Sequence, residues 1–216
     1  MPGDQAVVHL TNAVVMSQGF PLLSGADLEV ERGCLVVVTG ANGAGKTSLL
    51  RLLGGLDTLT SGAGRVAGVD LIDGDLRLLR RRVGWLGHEG SFYGDLSVRE
   101  NLVFAAKALE RPLDDVEDAL TRVGLAHRAD ITTKQLSAGQ RRRLGLAWLL
   151  VRRPELWLLD EPYASLDDAG REYFDHLLGD VLAAGATVVV SAHDPLRSGD
   201  LSPRTVHMAG GRVVAS

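Results

Sequence analysis

Eight consecutive residues constrain this chain more than any others: Gly40, Ala41, Asn42, Gly43, Ala44, Gly45, Lys46 and Thr47. They fit the pattern G-x-x-x-x-G-K-[ST] completely. The apolar run Leu35-Val36-Val37-Val38 precedes them, and residues 48–56, with Leu49, Leu50, Leu52 and Leu53, follow. The first flank reads as a short strand buried on both faces, the second as a helix that Gly54-Gly55 ends. Glycines allow successive backbone N–H groups to turn inward around an anion, and a helix N-terminus adds the positive end of its dipole. The pattern therefore implies a loop for a nucleoside triphosphate, held by the backbone from Gly40 to Ser48. Lys46 is expected to reach the β- and γ-phosphates, and the Thr47 hydroxyl to take a place on Mg²⁺. A glycine-rich turn with a chance lysine is the bland alternative, and the flanking strand and helix weigh against it.

A second apolar run, Leu156-Trp157-Leu158-Leu159, ends in the acids Asp160 and Glu161. Paired carboxylates at the end of a buried strand are costly unless they hold a cation or act on a proton. Asp160 is expected to hold Mg²⁺ through water, and Glu161, one residue further out, to polarise an attacking water. A strand that merely runs into solvent would explain the acids alone, but not beside a phosphate loop. A third buried-strand candidate covers 187–190, after a helix near 169–183.

The N-terminal part alternates as a half-buried strand does, with Ala26, Leu28 and Val30 apolar and Asp27, Glu29 and Glu31 charged. From about 98 to 151 the periodicity turns helical, with segments near 98–110, 113–123 and 138–152. In the last, Leu144, Ala147, Trp148 and Val151 follow the i, i+3, i+4, i+7 spacing of a buried stripe, and Pro154 stops it. Residues 205–214 read as a hairpin turning at Gly210-Gly211. Strand–loop–helix units on either side of a helical insertion predict a three-layer α/β core with a helical subdomain over about 87–152.

Composition narrows the function. The chain has 216 residues, 23 basic and 27 acidic, for a net charge of −4, so no whole-chain field invites nucleic acid as a partner. The arginine runs 80–82, 141–143 and 152–153 lack interleaved aromatics and read as solvated helix faces. A single cysteine, Cys34, excludes an intrachain disulfide; beside Leu35 to Val38 it reads as a small buried hydrophobe. No secretory leader is expected at the polar start, and no apolar stretch approaches the ~20 residues of a spanning helix. A soluble protein, with any membrane role exercised through a partner, is the expectation.

Leu136-Ser137-Ala138-Gly139-Gln140 opens the last helix of the middle region. By itself it is an N-cap, with Ser137 a preferred cap residue. It is also similar to the LSGGQ signature of the ABC ATPases, with Ala138 replacing the first glycine, and lies 23 residues before Asp160. Ala164-Ser165-Leu166-Asp167 resembles the D-loop of that family, and Ser191-Ala192-His193-Asp194 its switch region. The chain thus resembles the ABC ATPases over nearly its whole length, with phosphate loop, signature, acid pair and histidine in order. The resemblance implies one ATP-binding domain of α/β class: a P-loop NTPase (RecA-like) core, about 1–86 and 153–216, with an N-terminal antiparallel β subdomain and a helical family-specific subdomain. It implies ATP and Mg²⁺ as cofactors, hydrolysis with Glu161 and His193 catalytic, and His193 sensing the γ-phosphate from a strand end that faces the ligand crevice. It implies a head-to-tail dimer in which Ser137, Gly139 and Gln140 of one copy meet the nucleotide on the phosphate loop of the other, an arrangement that suits the anion preference of a helix N-terminus. Integral membrane transporter subunits would be the further partners, with this chain peripheral at the cytoplasmic face of the inner membrane.

Three positions depart from the family pattern. His88 stands where most members have a glutamine that contacts Mg²⁺ and the attacking water. A neutral imidazole offers one acceptor nitrogen and changes charge near pH ~6.5, so a ligand role and a structural role both stay open. Phe20 is the aromatic nearest to where a tyrosine usually stacks on adenine. Trp148 replaces a common arginine and reads as packing. Leu86-Gly87-His88, the LSAGQ form of the signature and the short length together resemble the ATP-binding subunits of the haem exporter complex of cytochrome c maturation. A generic small bacterial exporter or an importer ATPase is the alternative. A soluble ATPase acting on ribosomes or DNA is more remote, since such proteins usually carry two cassettes or long coiled-coil insertions. Lys46→Ala deletes the charge facing the phosphates and is expected to weaken nucleotide binding roughly tenfold or more. Titration with a fluorescent ATP analogue measures this, and an unchanged affinity would remove the phosphate-loop reading.

Overall fold

The computed structural model describes residues 6–87, 92–164, 166, 168–193 and 201–214. The chain divides into two compact units, Met1–Trp85 with Pro154–Ser216, and Leu86–Arg153. In chain order the first unit begins with the strands β1 (Ala6–Ser17), β2 (Phe20–Glu31) and β3 (Leu35–Thr39) and the helix α1 (Lys46–Leu53). Then come β4 (Ser61–Val66), β5 (Val69–Asp70), α2 (Leu76–Arg82) and β6 (Val83–Leu86). The second unit holds α3 (Val98–Ala108), α4 (Asp114–Arg122) and α5 (Ala138–Arg152). The chain closes with β7 (Leu156–Asp160), α6 (Asp168–Ala183), β8 (Thr187–Ser191), β9 (Arg204–Ala209) and β10 (Arg212–Val214).

Two sheets form the first unit. Strands ordered β2-β1-β4-β5 make an antiparallel sheet, and β10-β9-β3-β8-β7-β6 a second in which β3, β7, β8 and β9 run parallel. The expected α/β class is borne out. Strands β3, β7 and β8 are buried at every residue, as continuous Val/Leu runs in a sheet covered on both faces should be. Their pairing sets Asp160 opposite Ser191. Along β2 the expected alternation holds: Ala26, Leu28 and Val30 are buried while Asp27, Glu29 and Glu31 are exposed. Leu49, Leu50, Leu52 and Leu53 of α1 join one core cluster with Val36, Val38, Leu156, Leu158 and Val189 and with Val8, Leu10, Leu28 and Val30 of the hairpin.

Several boundaries moved for physical reasons. Helix α1 begins at Lys46, two residues before the expected start, because Gly45 at φ 102° turns the chain directly into it. Strands β7 and β8 each run one polar residue further than their apolar letters, since the ladder continues through Asp160 and Ser191. The sheet β2-β1-β4-β5 is the expected N-terminal antiparallel β subdomain, although the bounds of β1, β4, β5 and α2 were not read from the residues. β4 reads Ser-Gly-Ala-Gly-Arg-Val and acquires its conformation from pairing with β1 rather than from propensity. The C-terminal hairpin turns at Gly210-Gly211 as expected.

Two expectations need correction. Cys34 is only partly buried, standing between the turn at 32–33 and the first residue of β3. The arginine run of α2 is not simply a solvated face. Arg80 donates twice to the Gly55 carbonyl at 2.8 and 3.1 Å, and Arg82 to the Ala67 carbonyl at 2.7 Å. Two of its three guanidinium groups thus hold loop carbonyls left open by the glycine-rich turns.

In the second unit α3 and α5 each start with a complete capping box, Ser97 with Glu100 and Ser137 with Gln140. Leu144, Ala147 and Val151 are fully buried as the spacing predicts, whereas Trp148 is half-buried and meets Phe92 edge-on at 5.9 Å. No helix among the described residues is long and apolar enough to cross a membrane.

Candidate functional site

The glycine-rich loop joins β3 to α1 and rests on backbone from two other elements. A Cβ on Gly40, at φ 144°, would stand 2.3 Å from the Met208 carbonyl oxygen, and one on Gly45 would stand 3.0 Å from that of Leu22. The loop can follow this path only without side chains at those two positions. Ala44 N–H bonds the Ala41 carbonyl at 3.1 Å, and the Ala44 carbonyl accepts from Gly211 N–H at 3.0 Å. Lys46 is 5 % exposed and its Nζ donates to the Gly40 and Ala41 carbonyls at 2.8 and 3.2 Å. The ammonium therefore bridges the loop it belongs to. Ala41, Asn42, Gly43 and Thr47 face solvent, and Ser48 is half-buried. Helix α1 opens without any side-chain cap, in contrast to α3 and α5. Its first N–H groups are left to an external acceptor.

The ends of β7 and β8 meet this loop. Thr47 Oγ1 donates to the Asp160 carboxylate, 3.1 and 3.0 Å from its two oxygens, and Ser191 Oγ donates to Oδ1 at 2.6 Å. The Asp160 carboxylate, 8 % exposed, thus accepts hydrogen bonds from two hydroxyls. Ser191 Oγ also accepts the Glu161 N–H at 2.9 Å. Glu161 sits at φ 48°, the left-handed region that costs a non-glycine residue about 1–2 kcal/mol. Its held N–H and the bond from Ala164 N–H to its carbonyl at 3.1 Å fix that conformation. The side chain, turned off the strand axis, places Oε1 3.1 Å from His193 Nε2. One continuous chain of contacts thus runs from Thr47 through Asp160, Ser191 and Glu161 to His193. Sequence reasoning missed Ser191 as its hub; the signal available was a serine ending an apolar strand, one residue beyond Val190.

In the second unit Ser137 accepts the Gln140 N–H at 3.2 Å, and Gln140 Oε1 accepts the Ser137 N–H at 3.0 Å. The ordinary cap is therefore realised, with Ser137, Ala138 and Gly139 exposed and nothing within 4 Å of a Cβ built on Gly139. A hydroxyl that accepts at its cap still has its own proton to donate. Phe20 is 74 % exposed at the tip of the β1–β2 hairpin, two residues ahead of Leu22, the neighbour of Gly45. His88 lies outside the described residues, as do Ser165, Asp167 and Asp194. Among the described residues no three His, Cys, Asp or Glu side chains form a metal-binding group. A cation at Asp160 would have to draw on Thr47, water and phosphate oxygens, an all-oxygen set that fits a hard ion such as Mg²⁺.

A family model described as ABC transporter matches residues 23–164. The cytochrome c biogenesis ATP-binding export protein CcmA of Rhodopseudomonas palustris is 42% identical over 178 residues, covering 82% of this chain and 87% of that protein. The phosphonates import ATP-binding protein PhnC of Thiobacillus denitrificans is 37% identical over 210 residues, covering 91% and 81%. A dimeric ATP-binding cassette solved in a post-hydrolysis state with ADP and Pi superposes with a TM-score of 0.85 at 27% identity, covering 96% of this chain and 97% of that one.

Ser191→Ala removes the donor to a buried carboxylate and the acceptor of the Glu161 N–H together. It is expected to cost about 1–3 kcal/mol of stability in urea denaturation and to lower nucleotide turnover. Ser191→Thr, which keeps the hydroxyl, should retain most of both.

Proposed function

Because the chain belongs to the ABC transporter family of ATP-binding subunits, we propose that its phosphate loop, acid pair and His193 form the ATPase site of a transporter whose membrane subunits are separate chains. The carrying observation is the contact chain from Thr47 through Asp160 and Ser191 to Glu161 and His193, placed at the end of a strand–loop–helix unit with an uncapped helix start.

The residues divide the work by chemistry. Backbone N–H groups from Gly40 to Ser48 cradle the phosphates, and Lys46 exchanges its bonds to the Gly40 and Ala41 carbonyls for phosphate oxygens. Phe20 offers an exposed ring to the adenine. Thr47 and Asp160 would hold Mg²⁺, which would neutralise charge developing on the phosphate oxygens. Glu161 accepts a hydrogen bond from the attacking water and takes its proton as the water oxygen bonds the γ-phosphorus, the bond to the bridging oxygen breaks and ADP leaves with that oxygen's electron pair. His193, whose Nε2 lies 3.1 Å from Glu161 Oε1, is assigned the role of donating to a γ-phosphate oxygen and so reporting that the triphosphate is intact. Ser137, Gly139 and Gln140 supply a second anion-binding helix start to the nucleotide of a partner copy. His88 stands at the position of the usual glutamine and is assigned no step.

Within the family, the function proposed is to power export in cytochrome c biogenesis, with haem as the cargo of the membrane subunits and no haem held here. The 42% identity to the CcmA export protein across 82% of the chain supports it, as does the LSAGQ form of the signature. Exposed Tyr93 and Phe104, packed edge-on at 5.2 Å, offer an apolar face of the helical unit to those subunits and keep the chain peripheral at the membrane. An importer ATPase is the second reading, favoured by the 37% identity to the PhnC protein over 91% of the chain.

Glu161→Gln should keep ATP affinity, lose at least about a hundredfold in turnover, and accumulate as an ATP-stabilised dimer on gel filtration. Wild-type turnover in that variant would remove Glu161 from its role. In the source organism the same substitution should abolish holo-cytochrome c while sparing b-type haem proteins. Normal c-type cytochromes would favour the importer or generic exporter and leave the ATPase assignment standing.

A further inference from the structure

Asn101 is a buried polar side chain for which the ATPase reading finds no use. It lies in α3 with no exposed surface, yet each polar atom is engaged. Its Oδ1 accepts the Tyr93 N–H at 2.9 Å, and its Nδ2 faces the carbonyls of Tyr93 at 3.1 Å, Ser97 at 2.9 Å and Leu96 at 3.4 Å. One amide thus fixes the segment 93–97. Thr133, 3 % exposed, reaches the same place from the other side: Oγ1 donates to the Tyr93 carbonyl at 2.9 Å and its N–H bonds the Leu96 carbonyl at 3.1 Å.

What Thr133 carries is the start of α5. Its own carbonyl accepts the Leu136 N–H at 3.2 Å, Leu136 is buried at 3 % exposure, and Ser137 follows as the cap. The strip leading up to it is also tied to the start of α3, through a bridge between Ser97 and Thr132 and bonds from Val98 N–H to Ile131 and Arg99 N–H to Ala129. Neither helix needs these contacts in order to start, because each closes its own capping box. The contacts decide where the two starts lie relative to each other.

We propose that Asn101 and Thr133 are positioning residues that hold Ser137 in register, so that the exposed α5 start meets the nucleotide of a second copy of this chain. The proposal rests on the reading of Ser137 as that contact. A hydroxyl aimed at a triphosphate works within a few tenths of an ångström, so loss of the tether should be felt in turnover and cooperativity, and not in the binding of nucleotide to the phosphate loop of a single copy.

Thr133→Val removes the hydroxyl at nearly constant volume and leaves the Asn101 clamp on Tyr93 in place. The expected result is a small fall in the thermal midpoint, unchanged nucleotide affinity by titration, a roughly fivefold to tenfold fall in kcat and a Hill coefficient for ATP that moves toward one. Thr133→Ser, which restores the donor, should return kcat to within about twofold of wild type. Asn101→Asp, which keeps the acceptor and loses the donors, should act in the same direction and more strongly; if it does not fold, the threonine pair decides. Ser137→Arg, measured in parallel, should abolish cooperative hydrolysis outright. Wild-type kcat and cooperativity in Thr133→Val beside an inactive Ser137→Arg would overturn the positioning role alone, as would a loss confined to stability or affinity. Intact cooperativity in Ser137→Arg would overturn the reading of Ser137 and the proposal with it.

Discussion

The first unit is organised around a buried carboxylate. Asp160 ends a strand whose other residues are all apolar, and an ionised carboxylate taken out of water there costs several kcal/mol unless donors replace its hydration. Thr47 and Ser191 are those donors. Each belongs to a different element, so satisfying one carboxylate requires β7, β8 and the start of α1 to converge at the C-terminal ends of the parallel strands. The same convergence brings Glu161 and His193 within 3.1 Å and leaves the glycine-rich loop beside them. The polar atoms that make the strand end tolerable are also those able to take a cation and a phosphate.

Around that point the backbone is shaped by close approach. Gly40 lies against the Met208 carbonyl and Gly45 against that of Leu22, so the C-terminal hairpin and the antiparallel sheet both buttress the loop. A site of this kind gains from rigidity, since donors already aimed at an incoming anion need no reorganisation when it arrives. Helix α1 begins with its N–H groups uncapped, a local loss in stability that an anion can recover. Helix α5 solves the same terminal problem internally, through Ser137 and Gln140, and still shows its exposed start to solvent. The two helix starts are therefore different devices: one requires an external acceptor, the other can meet one without depending on it.

Much of the fold was legible because its elements are locally decisive. β3, β7 and β8 are unbroken apolar runs, α5 carries a serine cap before a periodic stretch and a proline after it, and the C-terminal hairpin is marked by two glycines. β4, with two glycines in six residues, is a strand only because β1 lies beside it. The arginines of α2 resembled a solvated face because nothing local shows that Gly55 and Ala67 present carbonyls within their reach. Cys34 was read as buried from its apolar neighbours in β3, while it stands just ahead of that strand and is only partly covered. Ser191 and Asn101 were overlooked for a common reason: a polar residue in an apolar setting reveals its purpose only through partners distant in sequence.

The sequence by itself determined the chemistry of the chain. Glycines at 40 and 45, Lys46, Thr47, the acids 160 and 161 and His193 are residue types whose chemistry suits a triphosphate and a proton acceptor, and each is bound to its neighbours by covalent order. Tertiary structure alone decided which of these groups touch. Asp160 lies 113 residues from Thr47 and 31 from Ser191, and no local rule of propensity, spacing or capping relates them. Their meeting follows from parallel pairing of β7 with β8 and from the packing of α1 against the sheet, both driven by burial of apolar surface that carries no chemistry of its own. Local sequence could specify the donors and acceptors because those depend on residue type. Their distances depend on how the whole core closes.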